Sequence, residues 1–143
     1  IGGGCGFAAV ADLAIAHPEA KLGYPEVGLG ICPAVVAPWL VRKIGAGPAR
    51  AMLLQGGTMD GVAALNNGLI DQLVERSDLE RLTMDLAETL ASGGRHAMAA
   101  TKAWLNELEG SVPLELLERG AILSTEVIAG DEAQTRLKKL FSG

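Results

Sequence analysis

The chain has 143 residues, 49% hydrophobic and 20% charged, which is enough apolar material for a buried core and too much for intrinsic disorder. Its net charge is −5, aromatics make up 3%, and the longest basic run is Lys138-Lys139, so a nucleic-acid or anionic-membrane surface is not expected. No apolar stretch approaches the roughly 18 residues of a membrane span. Cys5 and Cys32 with His17 and His96 lack both disulfide-framework and zinc spacing, so no metal is expected and a reducing compartment fits.

Glycine is the compositional outlier, 19 of 143, and it serves as punctuation without a repeat. The chain opens at Ile1 on Gly2-Gly3-Gly4, with no charged n-region or cleavage site. It is therefore read as part of a longer protein and not as starting with a signal peptide.

In chain order, the small apolar run from Cys5 to Ala16 predicts a buried helix leading into a short strand, and His17-Pro18-Glu19-Ala20 a turn. Lys21 to Gly30 reads as extended chain bent at Pro25-Glu26. Val36, Leu40 and Ile44 recur every four residues, predicting a helix from Ala34 to Ile44 stopped by Gly45. Pro48 suits the first turn of a helix over 49–55, ended by Gly56-Gly57. Asp60 can cap a short helix through Asn66, and Leu69 to Val74 alternates enough for a strand. Ser77-x-x-Glu80 reads as a capping box for a helix with Leu79, Leu82, Leu86 and Leu90 on one face, broken by Gly93-Gly94. Three more helices are expected over 97–108, 114–128 and 131–141, separated by Gly110-Ser111 and Gly130.

Two features invite chemistry. Gly2-Gly3-Gly4 before a small-residue helix lets backbone approach a ligand, and the free N–H groups of a helix start favour negative charge. A phosphate cradle, an oxyanion site and plain chain-on-chain packing all fit that pattern, and packing is the more economical reading of the glycines alone. The dinucleotide fingerprint fails for want of a third glycine, and the P-loop for want of Gly-Lys-Ser/Thr. Glu26 is the second feature, the only acid between Glu19 and Asp60, with Pro25, Val27, Leu29 and Ile31 around it. A carboxylate among apolar neighbours suits proton transfer near neutral pH, whereas a solvated loop position would give it no chemistry. Asp12 reads as a cap or ion-pair partner, His17 as a turn residue and His96 as a helix-start residue. Trp39 and Trp104 read as core or subunit contacts.

Read together, Gly2-Gly3-Gly4-Cys5, Ala11-Asp12-Leu13-Ala14-Ile15-Ala16, Ala20-Lys21-Leu22-Gly23, Pro25-Glu26-Val27 and Leu29-Gly30-Ile31-x-Pro33 form an ordered pattern. It continues through Ile44-Gly45, Ala49-Arg50, Gly68-Leu69-Ile70 and Val74. This pattern resembles the crotonase, or enoyl-CoA hydratase/isomerase, family over residues 2 to about 105. The resemblance implies an α/β fold, the C-terminal portion of a β/β/α spiral over residues 1–76, followed by a helical trimerisation region over 77–143. It implies an acyl-CoA thioester substrate, no cofactor beyond the coenzyme A of that substrate, and a homotrimer or hexamer. Fatty-acid or leucine breakdown in the cytoplasm, or in the mitochondrial matrix of a eukaryote, would be its setting.

Residue by residue, the resemblance makes Gly3 an oxyanion-hole N–H donor and Glu26 the glutamate that exchanges a proton with substrate carbon. It places Gly2, Gly4, Gly6, Pro25 and Ala34 along the substrate. One such preorganised donor is commonly worth about 3–4 kcal/mol to a transition state. Two positions depart from the common hydratase pattern. Gly6 stands where hydratases carry a first catalytic glutamate, and Pro33-Ala34-Val35-Val36-Ala37-Pro38-Trp39 replaces a glycine-rich stretch. Both departures look like the subgroup that hydrates methylglutaconyl-CoA and carboxylated isoprenoid-CoA substrates. Hydration is therefore the expected reaction, with double-bond isomerisation on a single base, or a non-catalytic binding or structural subunit, as alternatives.

Overall fold

The structure, a computed structural model, describes residues 1–110 and 112–142. Its elements run α1 (Gly3–Val10), β1 (Ile15–Ala16), β2 (Leu22–Gly23), a 3-10 turn (Pro25–Leu29), α2 (Ala37–Ile44) and α3 (Ala46–Gln55). Then come β3 (Thr58–Met59), α4 (Gly61–Asn66), β4 (Gln72–Leu73), a second 3-10 turn (Arg76–Asp78) and α5 (Leu79–Ala91). The helices α6 (Arg95–Leu108), α7 (Leu114–Ala129) and α8 (Asp131–Phe141) complete the chain. The expected break at Gly110-Ser111 falls partly on Ser111, which lies outside the described residues.

The strands are short and pair across long stretches of chain. β1 lies parallel to β4 with Ile15 opposite Gln72, and β2 antiparallel to β3 with Leu22 opposite Met59. Around them Tyr24, Leu40 and Leu69 are fully buried, joined by Cys5, Ala9, Ala16, Ala49, Met52, Ala64 and Ile70. Small residues dominate this core, so the helices α1, α2 and α3 approach closely. The helices beyond β4 bury far less. Among the described residues α5, α6 and α7 have no buried residue, and α8 has only Ala133.

Several expectations are corrected. Residues 25–29 are a 3-10 turn and not extended chain, because Pro25 at its first position presets a helical φ and Gly30, at φ 72°, reverses the chain after one turn. α2 starts at Ala37 and not at Ala34, since Pro38 favours the first turn and Pro33 precedes it. α3 starts three residues earlier than expected, from Gly45, with Pro48 still inside its first turn. The strand expected over 69–74 shrinks to Gln72–Leu73. No capping box forms at Ser77, which lies inside the second 3-10 turn, while Arg81 reaches back to Asp78 at 2.9 Å. Asp60 does cap α4, its Oδ1 accepting from the Ala63 N–H at 2.8 Å.

Candidate functional site

The site is built where the start of α1 meets the Pro25–Leu29 turn. Gly2, at φ 57° and ψ −130°, donates its N–H to the Gly23 carbonyl at 2.8 Å, tying the helix start to β2. That backbone region is open essentially to glycine alone. A Cβ built on Gly2 would lie 3.1 Å from Glu26 Oε1, so a side chain here would press on that carboxylate. Gly3 opens the helix, and a first-turn N–H has no intrahelical carbonyl to meet.

Glu26 is held on both sides by backbone. β2 fixes the chain before it, and its own carbonyl accepts from the Ile31 N–H at 2.9 Å after it. One carboxylate oxygen, Oε2, is buried with no hydrogen-bond partner among the described residues. A buried carboxylate oxygen without a partner is costly and marks a place where a polar group of a ligand gains a bond. Glu26 lines an apolar cavity of about 300 Å³ together with Gly3, Gly6, Phe7, Cys32, Val36 and Trp39. Glu26 is the only carboxylate among the lining residues.

Tyr24, immediately before the turn, is fully buried and donates its hydroxyl proton to the Cys5 carbonyl at 3.2 Å. Burial first, then its Cys5 neighbour and the charge of Glu26, push the phenol well above its ordinary range. The phenol therefore stays protonated and pins α1 to the Glu26 segment.

Of the residues singled out from sequence, Gly3, Gly6 and Glu26 line one cavity, and Gly2 closes against the Glu26 carboxylate. Gly4 and Pro25 flank them in the chain without lining that cavity. Ala34 is turned elsewhere. It lines two neighbouring grooves, with its carbonyl packed against Gly120 of α7. Above Gly6, the Val36 side chain would lie 3.3 Å from a built Cβ, a tight contact.

The sequence reading missed Cys32, Val36 and Ser124 as lining residues. Ser124 is 92 positions from Cys32, whose carbonyl its hydroxyl reaches at 3.2 Å, and no local pattern announces such a contact. Trp39 packs against the core as expected and also lines the cavity, whereas Trp104 is 56% exposed. A wider cavity of about 690 Å³ lies between the end of α1, α2 and α6. Its charged side chains already pair with one another, as Asp12–Lys102, Lys43–Asp71 and Arg42–Glu109, so the unpartnered Glu26 oxygen makes the smaller cavity the better candidate site.

Known proteins resemble this chain over most of its length. The short-chain-enoyl-CoA hydratase of Clostridium acetobutylicum is 31% identical over 132 residues, covering 88% of this chain and 51% of that protein. The crotonyl-CoA hydratase of Syntrophomonas wolfei is 35% identical over 108 residues, covering 75% and 42% respectively. The crystal structure of an enoyl-CoA hydratase from Mycobacterium avium matches with a TM-score of 0.84 at 28% identity, over 99% of this chain and 55% of that one. The chain spans about half the length of the curated relatives it matches. The expected fold class holds: an α/β crotonase fold with a helical C-terminal region. The model of the enoyl-CoA hydratase/isomerase family matches residues 1–138, and the chain belongs to that family.

Proposed function

We propose that the protein adds water across the double bond of an enoyl-CoA thioester. The observation that carries this reading is the buried, unpartnered Oε2 of Glu26 in an apolar cavity shared with the start of α1. On this reading the Gly3 N–H holds the thioester oxygen as an enolate forms, and the Glu26 carboxylate takes a proton from the attacking water and delivers it to the α carbon. Net water is added and the carboxylate ends as it began, with no cofactor beyond the coenzyme A of the substrate. The names of the relatives, which specify hydratases, support hydration.

A second reading is favoured by Gly6. With Val36 over it and Glu26 the sole lining carboxylate, one base is available, and one base suffices to remove and return a proton in double-bond migration. If hydration proceeds all the same, a carboxylate carried by a branched substrate is the group that would place the water. The assay that separates these outcomes follows water incorporation and bond position with crotonyl-CoA, 3-methylglutaconyl-CoA and a 3-enoyl-CoA, using the protein at its native length. Fast hydration of crotonyl-CoA refutes the substrate-carboxylate idea, and migration without hydration moves the assignment to isomerase. Glu26→Gln should lower turnover by about 10²–10⁴-fold, the usual worth of acid–base catalysis. Unchanged turnover removes Glu26 from the reaction, and no turnover of any thioester by the wild type leaves a binding or structural subunit.

The division of labour that goes with this reading gives residues 1–76 active-site segments of the spiral core and residues 77–143 the assembly. Support for assembly comes from apolar side chains left in solvent on the later helices, among them Leu108 at 63% and Leu114 at 68% exposure. A trimer, alone or paired into a hexamer, would cover them.

A further inference from the structure

The segment that carries Glu26 is gripped from behind by the last helix. α8 has one buried residue, Ala133, and it sits on Gly30, the left-handed residue that ends the Glu26 turn. A Cβ on Gly30 would stand 3.2 Å from the Ala133 Cα, so the absence of a side chain there is what lets α8 come this close. One turn further along, Arg136 donates from Nη1 to the Gly28 carbonyl at 3.1 Å. Gly28 lies in the last part of the 3-10 turn, where carbonyls lack partners within the helix and a cation is favoured. The guanidinium is itself fixed by Glu132, four residues back, at 3.0 Å. α7 adds a third hold, the Ser124 hydroxyl on the Cys32 carbonyl.

We infer that α8 is a positioning element for the reaction, with Arg136 and Ala133 holding the Glu26 turn against the cavity. The inference rests on Glu26 being the proton-transfer group. Arg136 touches neither the cavity nor the carboxylate, so it acts only through the turn it caps. Its removal leaves the cavity lining intact and widens the range of Glu26 positions, which lowers the rate of proton transfer more than the affinity for substrate. Misplacement of a reacting group by about 1 Å can cost on the order of a hundredfold in rate.

The test compares Arg136→Ala, Arg136→Lys and Glu26→Gln with Asp60→Ala, which removes the Asp60–Ala63 cap of α4 and controls for lost stability. Arg136→Ala should lower kcat about tenfold to a hundredfold with KM changed less than about threefold, within the range misplacement can produce. Arg136→Lys, which can still donate to the Gly28 carbonyl, should recover most of that loss. Amide hydrogen exchange at Gly30 and Ile31, whose N–H groups close the turn, should quicken in Arg136→Ala and stay unchanged in Asp60→Ala. If Glu26→Gln abolishes turnover while Arg136→Ala leaves both kcat and the exchange rates at wild-type values, the positioning role is overturned and the role of Glu26 stands. If Glu26→Gln is fully active, it is the underlying reading that fails. In that case faster exchange in Arg136→Ala still shows that the helix holds the turn, and unchanged exchange overturns that as well.

Discussion

At the scale of single residues, the two glycines that open α1 have different physical jobs, and substitution separates them. Gly2 combines a backbone conformation disfavoured for other residues with a Cβ position against Glu26 Oε1, so Gly2→Ala should cost about 1–3 kcal/mol and most of the turnover. A Cβ at Gly3 would meet nothing within 4 Å, and Gly3→Ala should leave thermal stability at or above wild type, because alanine forms helix better than glycine. Equal loss of melting temperature in both variants would contradict this account. Tyr24 offers a pH-dependent check, since it is the chain's one tyrosine and phenolate absorbance reports on it alone. The fold raises its pKa, so the stability it contributes is fully present below the unfolded value of about 10 and fades as pH climbs beyond that value. Phenolate should therefore appear only on unfolding, and Tyr24→Phe should flatten the alkaline fall in stability. A phenolate titrating near pH 10 in the folded protein would show that the hydroxyl is not sequestered.

At the scale of elements, punctuation was the legible part. Asp60, Gly45, Gly93-Gly94 and Gly130 mark helix ends by local chemistry, and the structure places ends there. Asp60→Ala should cost α4 about 1 kcal/mol, measurable by denaturant unfolding; a loss indistinguishable from zero would mean that packing on β4 holds the helix without its cap. What stayed illegible was anything decided by a neighbour far away in sequence. The Glu26 turn reads as extended chain because two residues, Pro25 and Gly30, set its shape from its ends and α8 leans on it from outside. Ser77 presents a capping motif that the chain does not use, since the preceding turn already delivers it in helical conformation. Gly3 and Glu26 could be named from the sequence by their motif, but their meeting in one cavity depends on β2 and on the Gly2–Gly23 bond. Cys32 and Val36 carry no signal beyond being apolar, and only the fold reveals that they line it.

At the scale of the whole molecule, apolar surface is distributed unevenly. The early helices enclose the core, although Phe7 and Leu54 stay exposed, while the late ones bury little and hold Trp104, Leu108, Leu114 and Ile122 more than half exposed. Exposed apolar clusters of this kind are characteristic of association surfaces. Light scattering at micromolar concentration should show a trimer or hexamer, and a Leu108→Asp, Leu114→Asp double variant should shift it toward monomer. A wild-type protein that is monomeric throughout would remove assembly from the proposal.

The Arg136–Gly28 contact spans 108 positions and the Ser124–Cys32 contact 92, and this bears on the order of folding. Closing such long loops is entropically late, whereas α2, α3 and α4 assemble from near neighbours. On refolding from denaturant, helical circular dichroism should return first and tyrosine burial with it, while catalytic competence waits for α8 to dock. On the proposed function, the chain would for an interval have its core formed with Glu26 not yet positioned.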